Sequence, residues 1–185
     1  MSLISRLFTS ASASRESVRP LWHRIVAIAR EEQWYAAGGI ADTVSGRFDA
    51  VTLVMALVML RMERGNGAEG SNTKRPLVAA SARLTELFVE DMDGQLRQSG
   101  VGDLVVGKRM GKLVSVLGGR IGALRTALGD PAPAEEQEML GAVLERNVTR
   151  VPDAPVEPLA AAVRGLHAQL QSLSDEDLLA ARIAR

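Results

Sequence analysis

Cysteine is absent from all 185 residues. That excludes disulfides, thiolate-bound zinc, iron–sulfur clusters and a cysteine nucleophile. Aromatic residues make up only 3%, so any core must be built from aliphatic side chains and alanine. β-Branched runs are few and Asn-Gly hairpin signals are nearly absent, which argues against a sheet. No run of 18 apolar residues occurs, so no membrane-spanning helix is expected. The nearest candidate, Ala50 to Leu60, stops at Arg61 after 11 residues and reads as a buried helix. The two histidines, His23 and His167, stand far apart. Neither has Ser, Asp or Glu partners at triad or zinc spacing, so the chain shows no catalytic set, no metal site and no need of a cofactor.

What the chain does have is apolar residues, 46% of the total, in periodic segments longer than ten residues. Length and composition predict a single all-α domain of about five to seven helices with a helical C-terminal tail. Residues 1–16 are expected to be a flexible N-terminus, 17–149 the helical domain, and 150–185 an extension packing on it. The first helix starts near Ser17 or Pro20 and ends in Glu31-Glu32-Gln33. A loop, Gly39 to Phe48, leads into a second helix over about 47–64, apolar on all sides and therefore central. Further helices are expected over 76–98, 104–128, 134–148 and 159–173. Ser174 with Asp177 resembles a capping box for a last short helix.

Charge is balanced overall, with 22 Lys+Arg against 22 Asp+Glu, but not locally. Residues 99–128 hold five Lys/Arg and one Asp, whereas 129–185 hold five Arg and ten acids. The basic arm suits phosphates, an acidic protein or a membrane surface, unless the acidic tail neutralises it within the fold.

The most informative stretch is Asp91 to Lys112. Gly100, followed by apolar Val101, has the pattern of a glycine helix stop. Gly102 completes a tight elbow, and Asp103 is a good N-cap for the helix that follows. On a wheel at 100° per residue, Gly107, Gly111, Gly118 and Gly122 of that helix fall within about 60° of one another. Lys108, Arg109, Lys112 and Arg120 form a basic face, the expected docking surface for a partner. Four interior glycines cost roughly 3–4 kcal/mol against alanine. The favoured offset is close approach of a neighbouring helix within the fold; docking of a foreign helix is the other.

Asp91 and Asp93 sit about 200° apart on a helix and cannot converge on one ion by themselves. Asp93 is placed to pair with Arg97 four residues on. An enzyme would need Glu86, Glu90, Asp93 or Asp103 to meet in one pocket. A basic helix–turn–helix nucleic-acid binder is the alternative reading. Against it stand the length of the second helix, its glycine stripe and its lack of Asn or Gln for base edges.

Two blocks resemble the ubiquinol–cytochrome c chaperone family. The first is Trp34-Tyr35, then Gly39-Ile-Ala-Asp42-Thr43, then Gly46-Arg47-Phe48. The second is Asp91-Met92-Asp93, Leu96-Arg97, Gly100-Val-Gly102-Asp103 and Val106-Gly107-Lys108. Gly119-Arg120 and Arg146-Asn147 match later pairs, and the likeness runs from about Leu21 to Asn147. Ala41 stands where the pattern has proline. Leu117-Gly118 replaces an aromatic pair, and Gln98-Ser99 replaces a Glu-Met type pair. The resemblance implies a non-enzymatic, all-helical assembly chaperone. It implies cytochrome b or other subunits of the cytochrome bc complex as partners, with the ribosome and the inner membrane surface as further contacts. DNA is not an expected partner, and the implied location is cytoplasmic, peripheral at the inner membrane.

Overall fold

The computed structural model describes residues 17–65, 74–98, 103–129 and 134–184, with the side chains of 65, 74–75, 95–98, 103–110 and 134–138 outside that description. The described residues form an all-α fold whose elements are α1 (Arg19–Ala29), α2 (Glu32–Ala36), α3 (Val44–Gly65), α4 (Lys74–Gln98), α5 (Asp103–Ala127), α6 (Ala134–Asn147), α7 (Glu157–Ser172) and α8 (Asp175–Leu179). The expected N-terminal segment 1–16 and the Gly100–Gly102 elbow lie outside the described residues.

The helix that is apolar all round takes the centre. Every residue of α3 from Thr52 to Met62 is buried, and it packs against α1, α4, α5 and α7. The single apolar cluster extends from Val18 to Ile183 and takes in Leu159, Val163, Leu166 and Leu170 of α7. With few aromatics available, Trp22, Phe48 and Phe88 are concentrated in one place: Phe88 meets Trp22 edge-on at 6.1 Å and Phe48 at 6.3 Å.

Near the end of α3, Arg61 is buried and hydrogen-bonded. Its Nε donates to Leu170 O at 3.1 Å, and its terminal nitrogen donates to Leu173 O at 2.6 Å and to Asp175 at 2.7 Å. It thereby takes up carbonyls left over where α7 ends. Ser174 caps α8, accepting from Asp177 N–H at 3.0 Å, as the capping-box spacing predicts. In the acidic tail, Asp175 pairs with Arg61, and Glu176 and Asp177 pair with Arg182.

Two boundaries differ from the sequence expectation. The first helix is broken in two, because Trp34 Nε1 donates to Ile28 O at 2.8 Å and Tyr35 OH to Ala29 O at 2.9 Å. These aromatic side chains fold back and satisfy carbonyls at the C-terminal end of α1. The second helix starts at Val44 rather than near Arg47, since Thr43 Oγ1 accepts from Gly46 N–H at 3.1 Å and acts as its N-cap.

Candidate functional site

The loop from Gly39 to Thr43 is held from both ends. Ile40 and Arg150 form an isolated antiparallel bridge, in which Ala41 N–H donates to Thr149 O at 2.9 Å and Val151 N–H to Gly39 O at 2.8 Å. Gly39 takes φ +69°, where a side chain would be strained and its Cβ would lie 2.7 Å from that of Ala154. At Gly46 a Cβ would run into Ala41 O, so the turn into α3 closes only on glycine. Arg47 Nε reaches back to Asp42 at 2.6 Å, and this exposed bond holds the Asp42 carboxyl below the usual carboxylate range.

Beside this loop lies a groove of about 1170 Å³. Its lining includes Val26 of α1, Arg30 just beyond that helix, Glu32 and Tyr35 of α2, and Asp42, Val44 and Arg47. Phe48 and Val51 of α3, Met92 of α4 and Leu113 of α5 supply further apolar lining, with Asp91 beside Met92. Val44 is 88% exposed, while Val26, Phe48, Val51 and Leu113 are half-buried on the core. Burial raises the Tyr35 phenol above its ordinary value, so it stays neutral and acts as a donor.

A buried polar network adjoins the groove, whose lining includes Asp49 and Thr149. Asp49, Thr52 and Arg120 are all buried in an otherwise apolar neighbourhood. Arg120 pairs with the Asp49 carboxylate and donates to Thr52 Oγ1. The second Asp49 oxygen accepts from Thr149 N–H at 2.8 Å and Thr149 Oγ1 at 2.7 Å. One acid thus ties α3, α5 and the bridge segment together. Arg120 Nε finds no acceptor among the described residues.

The structure brings Tyr35, Asp42, Arg47, Phe48 and Asp91 to the groove, with Trp34 buried behind Tyr35 and Gly39 and Gly46 shaping its loop. Thr43 caps α3, and Asn147 Nδ2 donates to Val143 O at 2.8 Å near the end of α6, beside exposed Arg146. Asp93 is half-buried on α4. The side chains of Arg97, Asp103, Lys108 and Arg109, and the surroundings of Gly107, lie outside the described residues. The expected basic face is corrected at Arg120, which is buried against Asp49 and does not share a surface with exposed Lys112. The physical reason is its wheel position: Arg120 falls about 40° from Leu124 and about 60° from Leu117, at the edge of the face of α5 turned to the core. This removes one of the cations on which the nucleic-acid reading relied.

The favoured account of the glycine stripe is corrected too. Gly111, Gly118 and Gly122 would meet nothing within 4 Å if they carried a Cβ, so among the described residues no helix presses on them. Gly111, Ser115 and Gly118 are exposed, with Val114 41% exposed beside them. Sequence reasoning also missed Asp49, though a signal was present. A lone acid at the head of an all-apolar helix must find a partner to be buried.

The family model described as ubiquinol-cytochrome C chaperone matches residues 36–185. The chain belongs to this chaperone family. The match starts just after the Trp34-Tyr35 pair and reaches beyond Asn147 through α7 and α8. Among solved structures, the crystal structure of the Cbp3 homolog from Brucella abortus is similar, with a TM-score of 0.74 and 34% sequence identity. The likeness covers 98% of this chain and 96% of that one. No curated protein matches. Where the family pattern has proline, this chaperone uses Ala41, whose N–H bond to Thr149 O a proline could not make.

Proposed function

We propose that this chain is a non-enzymatic assembly chaperone for ubiquinol–cytochrome c reductase that binds newly made cytochrome b through the outer face of α5. Family membership supports the chaperone role. The observation that carries the surface is the strip of exposed Gly111, Ser115 and Gly118 with half-buried Gly122, against which no helix packs among the described residues. Small residues at three- and four-residue spacing let two helix backbones approach closely, which is how apolar membrane helices associate. Of Leu117-Gly118, which stand in place of the family's aromatic pair, exposed Gly118 belongs to the strip. Exposed Lys112 supplies a cation beside it for lipid phosphates or ribosomal RNA. The chaperone then works on the cytoplasmic side, peripheral to the inner membrane, meeting its client as it leaves the ribosome. Among the described residues no helix is long and apolar enough to cross a membrane, and no three His, Asp or Glu gather as a metal site.

The test is crosslinking in cells from a photoreactive residue at position 112 or 118. Cytochrome b is the expected captured chain. A deletion strain that keeps a normal amount of assembled cytochrome bc complex would refute the reading.

A further inference from the structure

We infer that the buried Asp49–Arg120 pair is a positioning device, which fixes the rotation of α5 about its own axis and so keeps the glycine strip facing outward. The importance of the strip rests on the proposed function; the rotation does not.

The first ground is that apolar packing leaves the angle open. Over residues 111–128 the aliphatic side chains of α5 run from Ala123 and Val116, through Leu124 and Leu117, to Ile121 and Val114. On a wheel at 100° per residue that arc is about 180° wide. It is wider than the face turned inward. Leu117 and Leu124 are buried, Val116, Ile121 and Ala123 are half-buried, and Val114 is 41% exposed. A turn of about 60° would bury Val114 in place of Val116, exchanging one set of aliphatic side chains for another. Exposed Gly118 and Gly119 have no side chains to form a ridge against such a turn. Leu117 and Leu124 bring α5 to the core; something else must set its angle.

The second ground is the directionality of the pair. The Arg120 head meets the Asp49 carboxylate and Thr52 Oγ1, and lies 3.4 Å from Asp49 O. All three acceptors belong to α3. Thr52 Oγ1 is itself oriented, because it donates to Phe48 O at 3.1 Å and Asp49 O at 3.0 Å. Asp49 cannot follow a turning helix, since its other oxygen is held by Thr149 N–H and Oγ1. Turning α5 would therefore pull Arg120 away and strand a buried carboxylate. A second α3–α5 pair, Arg125 with Glu63, is exposed and holds the angle only weakly.

The third ground is energetic. A buried ion pair seldom adds net stability over apolar residues of similar volume, and specifying register is the best-attested use of buried polar groups. Here the register selected is the one that leaves Gly111, Ser115 and Gly118 exposed.

The test uses the full chain, whose lack of cysteine makes an introduced thiol the single site for maleimide. Val114→Cys should label faster than Val116→Cys, because the first position is exposed and the second half-buried. Combining Asp49→Asn with Arg120→Met removes both charges together. The amide keeps an acceptor for Thr149 N–H, so the fold should hold. In that background the ratio of the two labelling rates should narrow by about threefold or more, as rotated helices join the population. Arg120→Lys keeps the cation and should retain most of the native ratio. Should the double variant lose its cooperative urea transition, Thr52→Val decides. It removes one acceptor from Arg120 without stranding a charge, and the ratio should narrow in the same direction. An unchanged ratio in a folded double variant overturns the inference. So does an unchanged ratio in Thr52→Val where the double variant has unfolded. Crosslinking from position 118 in cells separates the two readings. A narrowed ratio with undiminished capture of cytochrome b upholds the inference and fails the strip as the client surface. A narrowed ratio with lost capture supports both.

Discussion

Asp49 and Arg120, 71 residues apart, face each other as a buried ion pair joining α3 to α5. Removing one member of such a pair strands the other and costs about 3–5 kcal/mol. Asp49→Ala should be the more damaging change, because Asp49 also serves the Thr149 N–H and hydroxyl. Arg120→Met should cost less, since it also removes a buried Nε with no acceptor among the described residues. Urea denaturation of the two variants checks the order; equal losses would contradict it.

Two glycine substitutions should move stability in opposite directions. Gly118→Ala meets open space on an exposed helix face and should stabilise the fold by about 0.5–1 kcal/mol. The same change should weaken association with the client, giving a higher Tm with a lower crosslinking yield. Gly46→Ala drives a methyl into Ala41 O and should cost about 1–3 kcal/mol.

The aromatic pair after α1 should prove structural through its hydrogen bonds. Tyr35→Phe removes only the donor to Ala29 O and should cost about 0.5–1.5 kcal/mol. Trp34→Phe removes the donor to Ile28 O from a fully buried site and opens a void as well, so its cost should be larger. Hydrogen exchange at the end of α1 should rise in both variants before the rest of the fold loosens.

Asp42 makes a pH-dependent contribution whose sign is fixed by its lowered pKa. The hydrogen bond from Arg47 is the main cause. The contribution is therefore fully present above the unfolded carboxylate pKa and is lost as pH falls through the folded value. Arg47→Gln should raise the Asp42 pKa toward its ordinary value, as read by carboxyl NMR titration. An unshifted titration would show that the pair does not form in solution.

Much of this fold was legible from periodicity. The apolar run around Ala50–Leu60 marked the central helix, Ser174 with Asp177 marked the last one, and the breaks near Gly129 and Val148 fell where helices end. What stayed hidden depended on partners far away in sequence. Trp34 and Tyr35 look like the end of a helix pattern, and only the folded chain shows them turned back on Ile28 and Ala29. Arg120 follows Lys108, Arg109 and Lys112 on the same helix and reads as one of that basic set until Asp49 is brought beside it. The glycine stripe was visible, but which side of α5 faced outward was not. That is decided by where Leu117 and Leu124 find the core. The motif residues around the groove were named from resemblance, whereas Val44 carried no signal because a single exposed valine is unremarkable in a sequence.

The grip of Arg61 on the end of α7 has a consequence for biosynthesis. Its acceptor Leu170 lies 109 residues downstream. At translation speeds of roughly 5–20 residues per second, the side of the central helix that meets α7 waits about 5–20 s for that partner to be made. During that interval the apolar flank of α3 that α7 later covers is exposed on the growing chain.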